Sequence, residues 1–242
     1  MKNLLLTGAL IFSSTVVASD DVHWGYSGDI GADNWAKLSP DNYQCSGNNQ
    51  SPIDLTGFIE AELMPIKFNY SATAKEILNN GHTVQVNLNS GSSIELDGIS
   101  FDLLQFHFHA PSENHINGKS YPLEAHFVHS DKSGNLAVVA VMFKEGSENQ
   151  GLMPAWQQMP KHEGDTHSLK AKFNGLDILP ENKDYYRFNG SLTTPPCSEG
   201  VRWLVMKTNV QASKQQINDF SSVLHEPNNR PIQATNARMI LQ

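Results

Sequence analysis

One stretch of the sequence, residues 105–109, alternates polar and apolar side chains in the order Gln-Phe-His-Phe-His. Successive side chains of a β-strand point to opposite faces, so the alternation predicts a strand with Gln105, His107 and His109 on one face. Two imidazoles on one strand face can share a single metal ion. The opposite face is expected to be apolar and to lie in the core; it would carry Leu104, Phe106 and Phe108.

A second strand-like run follows at residues 123–128, and its even positions are Glu124, His126 and Val128. If the two strands pair, His126 joins the two histidines of the first strand. Three protein ligands leave the fourth tetrahedral position open, which is typical of catalytic rather than structural zinc. Both stretches lack thiolates, and this favours a zinc ion held by nitrogen.

Each of these residues also has an ordinary interpretation. A single histidine on a strand is usually a hydrogen-bonded core or surface residue, and two histidines separated by one residue occur often by chance. The third histidine, which has the same strand phase and carboxylates nearby, favours the metal site.

The composition excludes some function classes. With a net charge of −8, a pI near 5.6 and no cluster of Lys and Arg, the chain is not expected to bind nucleic acid. Its length of 242 residues suits one large domain or two small ones. We find no repeat and no linker after Val22, so we expect a single domain at residues 20–242.

The N-terminus and the cysteines indicate export. Lys2 followed by an apolar run at residues 4–12 and small residues near Ser19 predicts a signal peptide at residues 1–19. The apolar run is too short for a membrane span and no second one follows, so we expect a soluble secreted or periplasmic protein. In an oxidising compartment the two cysteines, Cys45 and Cys197, are expected to form a disulfide.

Several elements around these stretches have local signals. Asp97-Gly98 between two apolar runs predicts a hairpin. The continuous apolar run at 136–143 predicts a strand buried on both faces, and residues 152–159 fit a short amphipathic helix. Ser213 and Gln216 predict a capping box before another helix. The domain is therefore expected to be rich in strands.

Taken together, these stretches resemble the α-class carbonic anhydrases, over nearly all of the chain after the signal peptide. The resemblance implies an α+β, mainly β fold: a large, twisted, mostly antiparallel central sheet of about ten strands with short peripheral helices. It rests on residues 23–26, 50–54, 79–82, 105–109, 112–113, 124–128 and 191–196.

The resemblance also implies the reaction, which is reversible hydration of carbon dioxide to bicarbonate and a proton through a zinc-bound hydroxide. Zn²⁺ would be held by His107, His109 and His126. Residues that would orient these imidazoles through their second nitrogen are Gln105, Glu124 and, through its backbone carbonyl, Asn228.

Further roles follow from the same resemblance. Glu113 would accept the hydroxyl proton of Thr193, whose oxygen then accepts a hydrogen bond from the zinc-bound hydroxide. Carbon dioxide has no strong hydrogen-bonding group, so its capture requires an apolar pocket. The residues that match the family's pocket are Val128, Val138, Leu192, Thr194, Val201 and Trp203.

Regenerating the hydroxide requires a proton to reach solvent, and histidine titrates near neutrality. By resemblance His82 is the proton shuttle, and Tyr26, Asn80 and Gln85 would hold a connecting water chain. Bacterial relatives include homodimers, which leaves a homodimer as an option. Two alternative functions stay open: a zinc esterase or hydrolase, and a non-catalytic carbonic-anhydrase-like binding module.

Overall fold

The computed structural model describes residues 23–169 and 174–242; the expected signal peptide at residues 1–19 lies outside them. In the described part the helices are short and most regular structure is β. The α-helices are α1 (Trp35–Leu38), α2 (Met153–Trp156) and α3 (Lys214–Ser222). Single 3₁₀ segments span Gly28–Ile30, Pro40–Ser46 and Gly175–Ile178.

The described strands form one large sheet and one small pair. They are β1 (Asp54–Leu55), β2 (Lys67–Asn69), β3 (Ala74–Asn79), β4 (Val84–Leu88), β5 (Ser93–Leu96), β6 (Ile99–His109), β7 (His115–Ile116), β8 (Leu123–Ser130), β9 (Leu136–Glu145), β10 (Thr166–Ser168), β11 (Tyr185–Ser191), β12 (Glu199–Met206) and β13 (Val210–Ala212).

Eleven of these strands form a mixed sheet in the order β10-β3-β4-β6-β8-β9-β12-β11, with β13 beside β9 and with β5 pairing both β6 and β2. Most neighbours are antiparallel, and β9 pairs parallel to both β12 and β13. The remaining two strands, β1 and β7, form a separate parallel pair. The expected fold class, mainly β with one large sheet and short helices, is confirmed.

The turn between β5 and β6 leads into the strand that carries His107 and His109, which lies in the middle of the sheet. Asp97 and Gly98 have φ angles of 52° and 77°, and both positions of a two-residue type I′ hairpin require positive φ. β6 then continues for 11 residues and pairs with β4 on one side and β8 on the other. The predicted hairpin is confirmed.

The alternation along β8 separates two apolar clusters on opposite faces of the sheet. Leu123, Ala125 and Phe127 belong to the larger cluster, which also contains Phe106, Phe108 and, from α3, Phe220. The second cluster lies on the other face. It contains Val128 and the side chains of β9 and β12 that point to that face. Because Glu124 and His126 alternate with the first set, they lie on the same face as the second cluster.

One strand-phase prediction is wrong. Leu104 was expected to be buried with Phe106 and Phe108, but 49% of it is exposed, whereas its neighbour Leu103 is buried. The pairing of β6 with β8 shifts register between Leu103 and Gln105, which is where one residue is inserted in a β-bulge. The bulge inverts the alternation before Gln105 and leaves the phase of both histidines unchanged.

Two other local predictions, the capping box and the disulfide, are confirmed. The Ser213 hydroxyl accepts the Gln216 N–H at 3.2 Å and Gln216 Oε1 accepts the Ser213 N–H at 3.1 Å, which completes the capping box of α3. Cys45 and Cys197 form a disulfide that closes 152 residues of chain. Among the described residues, none of the helices has the length and apolar character that crossing a membrane requires.

Candidate functional site

The register between β6 and β8 brings three imidazoles together. His107 is directly paired with His126, and His109 follows His107 on the same face. Ring centroids are 5.4 Å apart for His107 and His126 and 4.6 Å apart for His109 and His126. One nitrogen from each ring lies within 4.8 Å of the other two. We call these three residues the histidine cluster.

Hydrogen bonds fix the rings of the two histidines on β6. His107 Nδ1 lies 2.8 Å from Gln105 Oε1, and His109 Nδ1 lies 2.6 Å from the backbone oxygen of Asn228. Since both partner atoms accept hydrogen bonds, each Nδ1 must carry the proton. The Nε2 atoms are therefore left unprotonated, with their lone pairs available to a metal.

The third ring is oriented by a buried carboxylate. His126 Nε2 lies 2.9 Å from Glu124 Oε1, a close contact that does not meet the geometry of a hydrogen bond. Glu124 also accepts the backbone N–H groups of Glu113 and Asn114 at 2.7 and 2.9 Å and the Asn114 side-chain amide at 2.8 Å. Burial raises the pKa of Glu124, and the Asn114 hydrogen bonds oppose that rise. The arrangement leaves His126 Nδ1 available.

The donor set fits a zinc ion. Burial lowers the pKa of His109, and burial together with neighbouring imidazoles lowers the pKa of His107 and of His126 well below the usual range, although His107 keeps an edge open to solvent. Neutral imidazoles are what a metal ion binds. His109 Nε2 is buried without a hydrogen-bond partner in the described chain, which a metal at this point would supply. Three nitrogen donors and no sulfur match catalytic zinc.

Glu113 lies beside the cluster and is almost completely buried. Its Oε1 accepts the Arg230 N–H at 2.9 Å, and its Oε2 lies 3.5 Å from His109 Nε2 without a hydrogen-bond partner of good geometry. Burial raises the pKa of Glu113 well above its usual range, and hydrogen bonds from the Arg230 N–H and the hydroxyl of buried Thr193 oppose that rise. The Thr193 hydroxyl therefore lies beside Glu113, and the role of this pair in orienting a hydroxide stays a prediction.

An apolar wall lies on the same face of the sheet. The Trp203 ring is 4.9 Å from the His126 ring, centroid to centroid. Trp203 belongs to one hydrophobic cluster with side chains that are expected to form the carbon dioxide pocket. These side chains are Val128, Val138, Val201 and, partly buried, Leu192. Thr194, beside Thr193, is partly buried and its carbonyl accepts the Cys197 N–H at 2.8 Å.

His82 lies in a separate pocket of about 200 Å³, which we call the outer pocket. Its ring stacks on Trp24 with centroids 3.7 Å apart and planes 7° apart. Asn228 connects the outer pocket to the histidine cluster, because its side-chain amide donates to the His82 carbonyl at 3.0 Å while its own carbonyl faces His109. Eleven residues line this pocket: His23, Trp24, Gly25, Tyr26, Ile30, Gly81, His82, Glu163, His225, Glu226 and Asn228.

The three residues expected to hold a water chain are placed differently from one another. The Tyr26 hydroxyl is buried without a partner in the described chain, which leaves it free to bind water. Asn80 Oδ1 instead accepts the N–H groups of His82 and Thr83, and the Gln85 amide donates to Asn87 at 2.7 Å. The part of these residues in a water chain stays a prediction.

Arg230 was not singled out from the sequence. Only 2% of it is exposed, and its guanidinium donates to Gln50 Oε1 and the carbonyls of Ser51 and Cys45 at 2.8 to 3.0 Å. Burial lowers its pKa to about 10. Arg230 thus joins the disulfide segment to the segment that contacts Glu113. No local sequence pattern indicates this role of Arg230, since the partners of its guanidinium lie some 180 residues away. Asn114 was likewise not predicted from the sequence.

Comparison with known proteins agrees with this geometry. The family described as eukaryotic-type carbonic anhydrase matches residues 30–242. A carbonic anhydrase of Pectobacterium atrosepticum is 51% identical over 225 residues, which are 93% of this chain and 92% of that protein. The α-carbonic anhydrase of Thermovibrio ammonificans, solved with the inhibitor sulfanilamide, superimposes with a TM-score of 0.90 at 50% identity and covers 91% of this chain and 99% of that one.

A more distant relative shows what else the fold can carry. Dioscorin, solved in complex with ascorbate, is 30% identical and superimposes with a TM-score of 0.85 over 90% of this chain and 97% of that one. The family match nevertheless covers almost all of the described residues, and the similarity to the bacterial relative extends over 92% of that protein. The chain therefore belongs to the eukaryotic-type, or α-class, carbonic anhydrase family.

Proposed function

We propose that this protein catalyses the reversible hydration of carbon dioxide to bicarbonate and a proton, with one zinc ion held by His107 Nε2, His109 Nε2 and His126 Nδ1. The observation that carries the proposal is the convergence of three imidazole nitrogens, with the second nitrogen of His107 and of His109 held by a hydrogen bond and that of His126 lying 2.9 Å from a Glu124 oxygen. When bound, zinc acts as a Lewis acid that lowers the pKa of water to about 7, an effect for which carbonic anhydrase is itself the standard example.

The protein's own groups supply orientation. Glu113 accepts a hydrogen bond from the Thr193 hydroxyl, so the Thr193 oxygen can act only as an acceptor toward the reacting hydroxyl group. That group is thereby held with a lone pair directed at the substrate, while the Thr193 backbone N–H can stabilise the negative charge that develops. The apolar wall beside Trp203 excludes water and accommodates a substrate without hydrogen-bond donors. His82 accepts the released proton and transfers it to solvent.

The setting of the reaction is also a proposal. Residues 20–242 form one domain that is exported after removal of residues 1–19, and the disulfide between Cys45 and Cys197 supports an oxidising, secreted or periplasmic location. The substrate is a small molecule, and no nucleic acid or membrane takes part. Light scattering of the purified protein would decide between monomer and homodimer.

The test combines metal content with activity. We expect about one zinc per chain, hydration activity that disappears on chelation and returns with zinc, and inhibition by sulfanilamide. Activity toward an activated ester, compared with carbon dioxide, separates a zinc esterase from a carbonic anhydrase. A protein that binds zinc but hydrates no carbon dioxide would contradict the proposal, as would a metal-free active form. A binding module is disfavoured because all three histidines are present.

A further inference from the structure

The outer pocket holds His82 in a position from which it can exchange protons with solvent. The imidazole is half-buried and stacked on Trp24, while its backbone N–H and carbonyl are bonded to Asn80 and Asn228. Stacking fixes the plane of the ring, and the pocket leaves room of about 200 Å³ beside it. A buffer molecule that enters this space can take a proton from His82.

Glu163 forms one side of the outer pocket. Its carboxylate lies against Gly81, where a Cβ atom would come within 2.7 Å of the carboxyl group. The loop that carries it is anchored, since the Gly164 N–H donates to the Asn79 carbonyl at 2.8 Å. The exposed Glu163 side chain therefore occupies space beside residue 81 that only glycine leaves open, and the φ of +84° at this position also favours glycine.

Glu226 also lines the outer pocket. Its Oε1 accepts the Tyr26 N–H at 2.9 Å, and hydrogen bonds from Ser27 and this N–H, together with the charge of His82, lower its pKa. Glu226 is therefore ionised at neutral pH. The two acids come from chain segments 63 residues apart, yet they are the two carboxylates among the residues that line the outer pocket.

The other titratable groups facing His82 are His23, His225 and Tyr26. Burial lowers the pKa of His82; the charges of Glu163 and Glu226 oppose this, and His23 adds to it. At neutral pH Tyr26 is uncharged, because burial raises its pKa well above the usual range. The field that an approaching buffer meets is consequently negative.

We propose that Glu163 and Glu226 select the chemical class of the base that deprotonates His82. They favour neutral bases such as imidazole over anionic bases such as phosphate. The inference rests on the proposed function, in which His82 carries the proton of the hydration reaction. The step is a simple exchange: the N–H proton of the His82 imidazolium passes to the base, which leaves neutral His82. A neutral base departs as a cation, whereas hydrogen phosphate arrives as a dianion and departs as a monoanion.

The size of the effect follows from Coulomb's law. In water, one carboxylate about 10 Å away lowers the local concentration of a dianion roughly fourfold before screening, and two carboxylates lower it roughly sixteenfold. We expect the preference for imidazole over phosphate to fall roughly threefold to tenfold at low ionic strength when both charges are removed. The difference should vanish near 1 M salt, where the screening length is about 3 Å.

The experiment compares the zinc-loaded protein with Glu163→Gln, Glu226→Gln and the double variant. For each protein, the buffer-dependent maximal hydration rate is measured in imidazole and in phosphate at equal pH. The ratio of the imidazole rate to the phosphate rate is then compared between the proteins, so that any direct effect of a buffer on the zinc cancels. The matched control is Glu62→Gln, an exposed acid that does not line the outer pocket. Values of kcat/KM for carbon dioxide should not change in any of them.

A second readout does not depend on turnover. In a titration followed by NMR, each Glu→Gln change in the pocket should lower the pKa of His82, because it removes a negative charge that favours the imidazolium, and Glu62→Gln should not. An unchanged buffer ratio in the double variant, or the same change in Glu62→Gln, would overturn the inference while hydration itself persists. A wild-type chain without hydration activity would refute the proposed function and this inference with it.

Discussion

The histidine cluster and His82 use the same side chain in opposite surroundings. Each ring of the cluster has one nitrogen engaged by Gln105, Glu124 or the Asn228 carbonyl, and the protein around the rings keeps them neutral. The His82 ring is half-buried, is held by stacking on Trp24, and faces two carboxylates that oppose the effect of its burial on its pKa.

The difference suits the two tasks that we propose for these residues. A metal ligand must stay neutral and fixed, and burial in the middle of an eleven-stranded sheet provides both conditions. A proton carrier must gain and lose charge near neutral pH, which full burial would prevent. Asn228 contacts both regions, so the two imidazole environments are joined by one residue and still differ in solvent access.

The largest effect is expected when the cluster loses a ring. His126→Ala removes one of three nitrogen donors and leaves Glu124 buried beside an empty space, so we expect loss of both zinc and hydration activity. Zinc content and kcat/KM measured together test this. His162→Ala, which removes an exposed histidine outside the site, is the matched control and should retain both. Full zinc content in His126→Ala would place the metal elsewhere.

A second prediction uses a buried histidine that takes no part in metal binding. His129 Nε2 lies 2.7 Å from the Tyr70 hydroxyl and its Nδ1 3.2 Å from the Ala137 carbonyl. Burial lowers its pKa to about 4. Because an unfolded histidine has a pKa near 6.5, the unfolded chain binds a proton first as the pH falls, and the fold should lose about 3 kcal/mol of stability between pH 6.5 and 4.

The measurement is the free energy of unfolding against pH for metal-free wild type and for His129→Gln. The histidine cluster titrates equally in both proteins, so the difference in slope isolates His129. As the pH falls through this window, the free energy of unfolding of the wild type should decrease more steeply than that of His129→Gln. Above pH 6.5 the stabilisation associated with neutral His129 should be fully present. Parallel curves for the two proteins would show that His129 is not kept neutral by burial.

The third prediction tests orientation without removing a ligand. Thr193→Ala deletes the hydroxyl that interacts with Glu113, so we expect about a hundredfold loss of hydration rate, by analogy with the removal of one transition-state hydrogen bond, while zinc is retained. Thr193→Ser keeps the hydroxyl and should recover most of the rate. Equal rates for the alanine variant and wild type, both with full zinc, would remove Thr193 from the mechanism.

These residues also show what the sequence could predict. Strand alternation was sufficient to place His107, His109 and His126 on one side of the sheet, because the pleat has a period of two and the pairing of β6 with β8 brings the residues together. The same rule failed for Leu104, since a β-bulge depends on the partner strand and has no signal of its own.

Residues that act across long distances in the chain were not predictable in this way. Arg230 is buried among carbonyls from residues 45 to 51, and Asn114 is defined by its contact with Glu124. Neither lies in a pattern that indicates a partner. Family resemblance supplied the positions of Glu113, Thr193 and His82, whereas the carboxylates beside His82 became visible only when the folded chain brought residues 163 and 226 to one pocket.

The smallest expected effect concerns His82, and it distinguishes the outer pocket from the histidine cluster most directly. Zinc chemistry can be no faster overall than removal of the released proton, and an imidazole with a pKa near that of its donor transfers it almost without cost. His82→Ala should therefore lower kcat in dilute buffer by about tenfold, roughly 1.4 kcal/mol, and leave kcat/KM and zinc content unchanged. Added imidazole should restore much of the loss because it replaces the missing carrier. If kcat and kcat/KM fall together and imidazole gives no rescue, the His82 ring supports the structure around Trp24 and the proton leaves by another route.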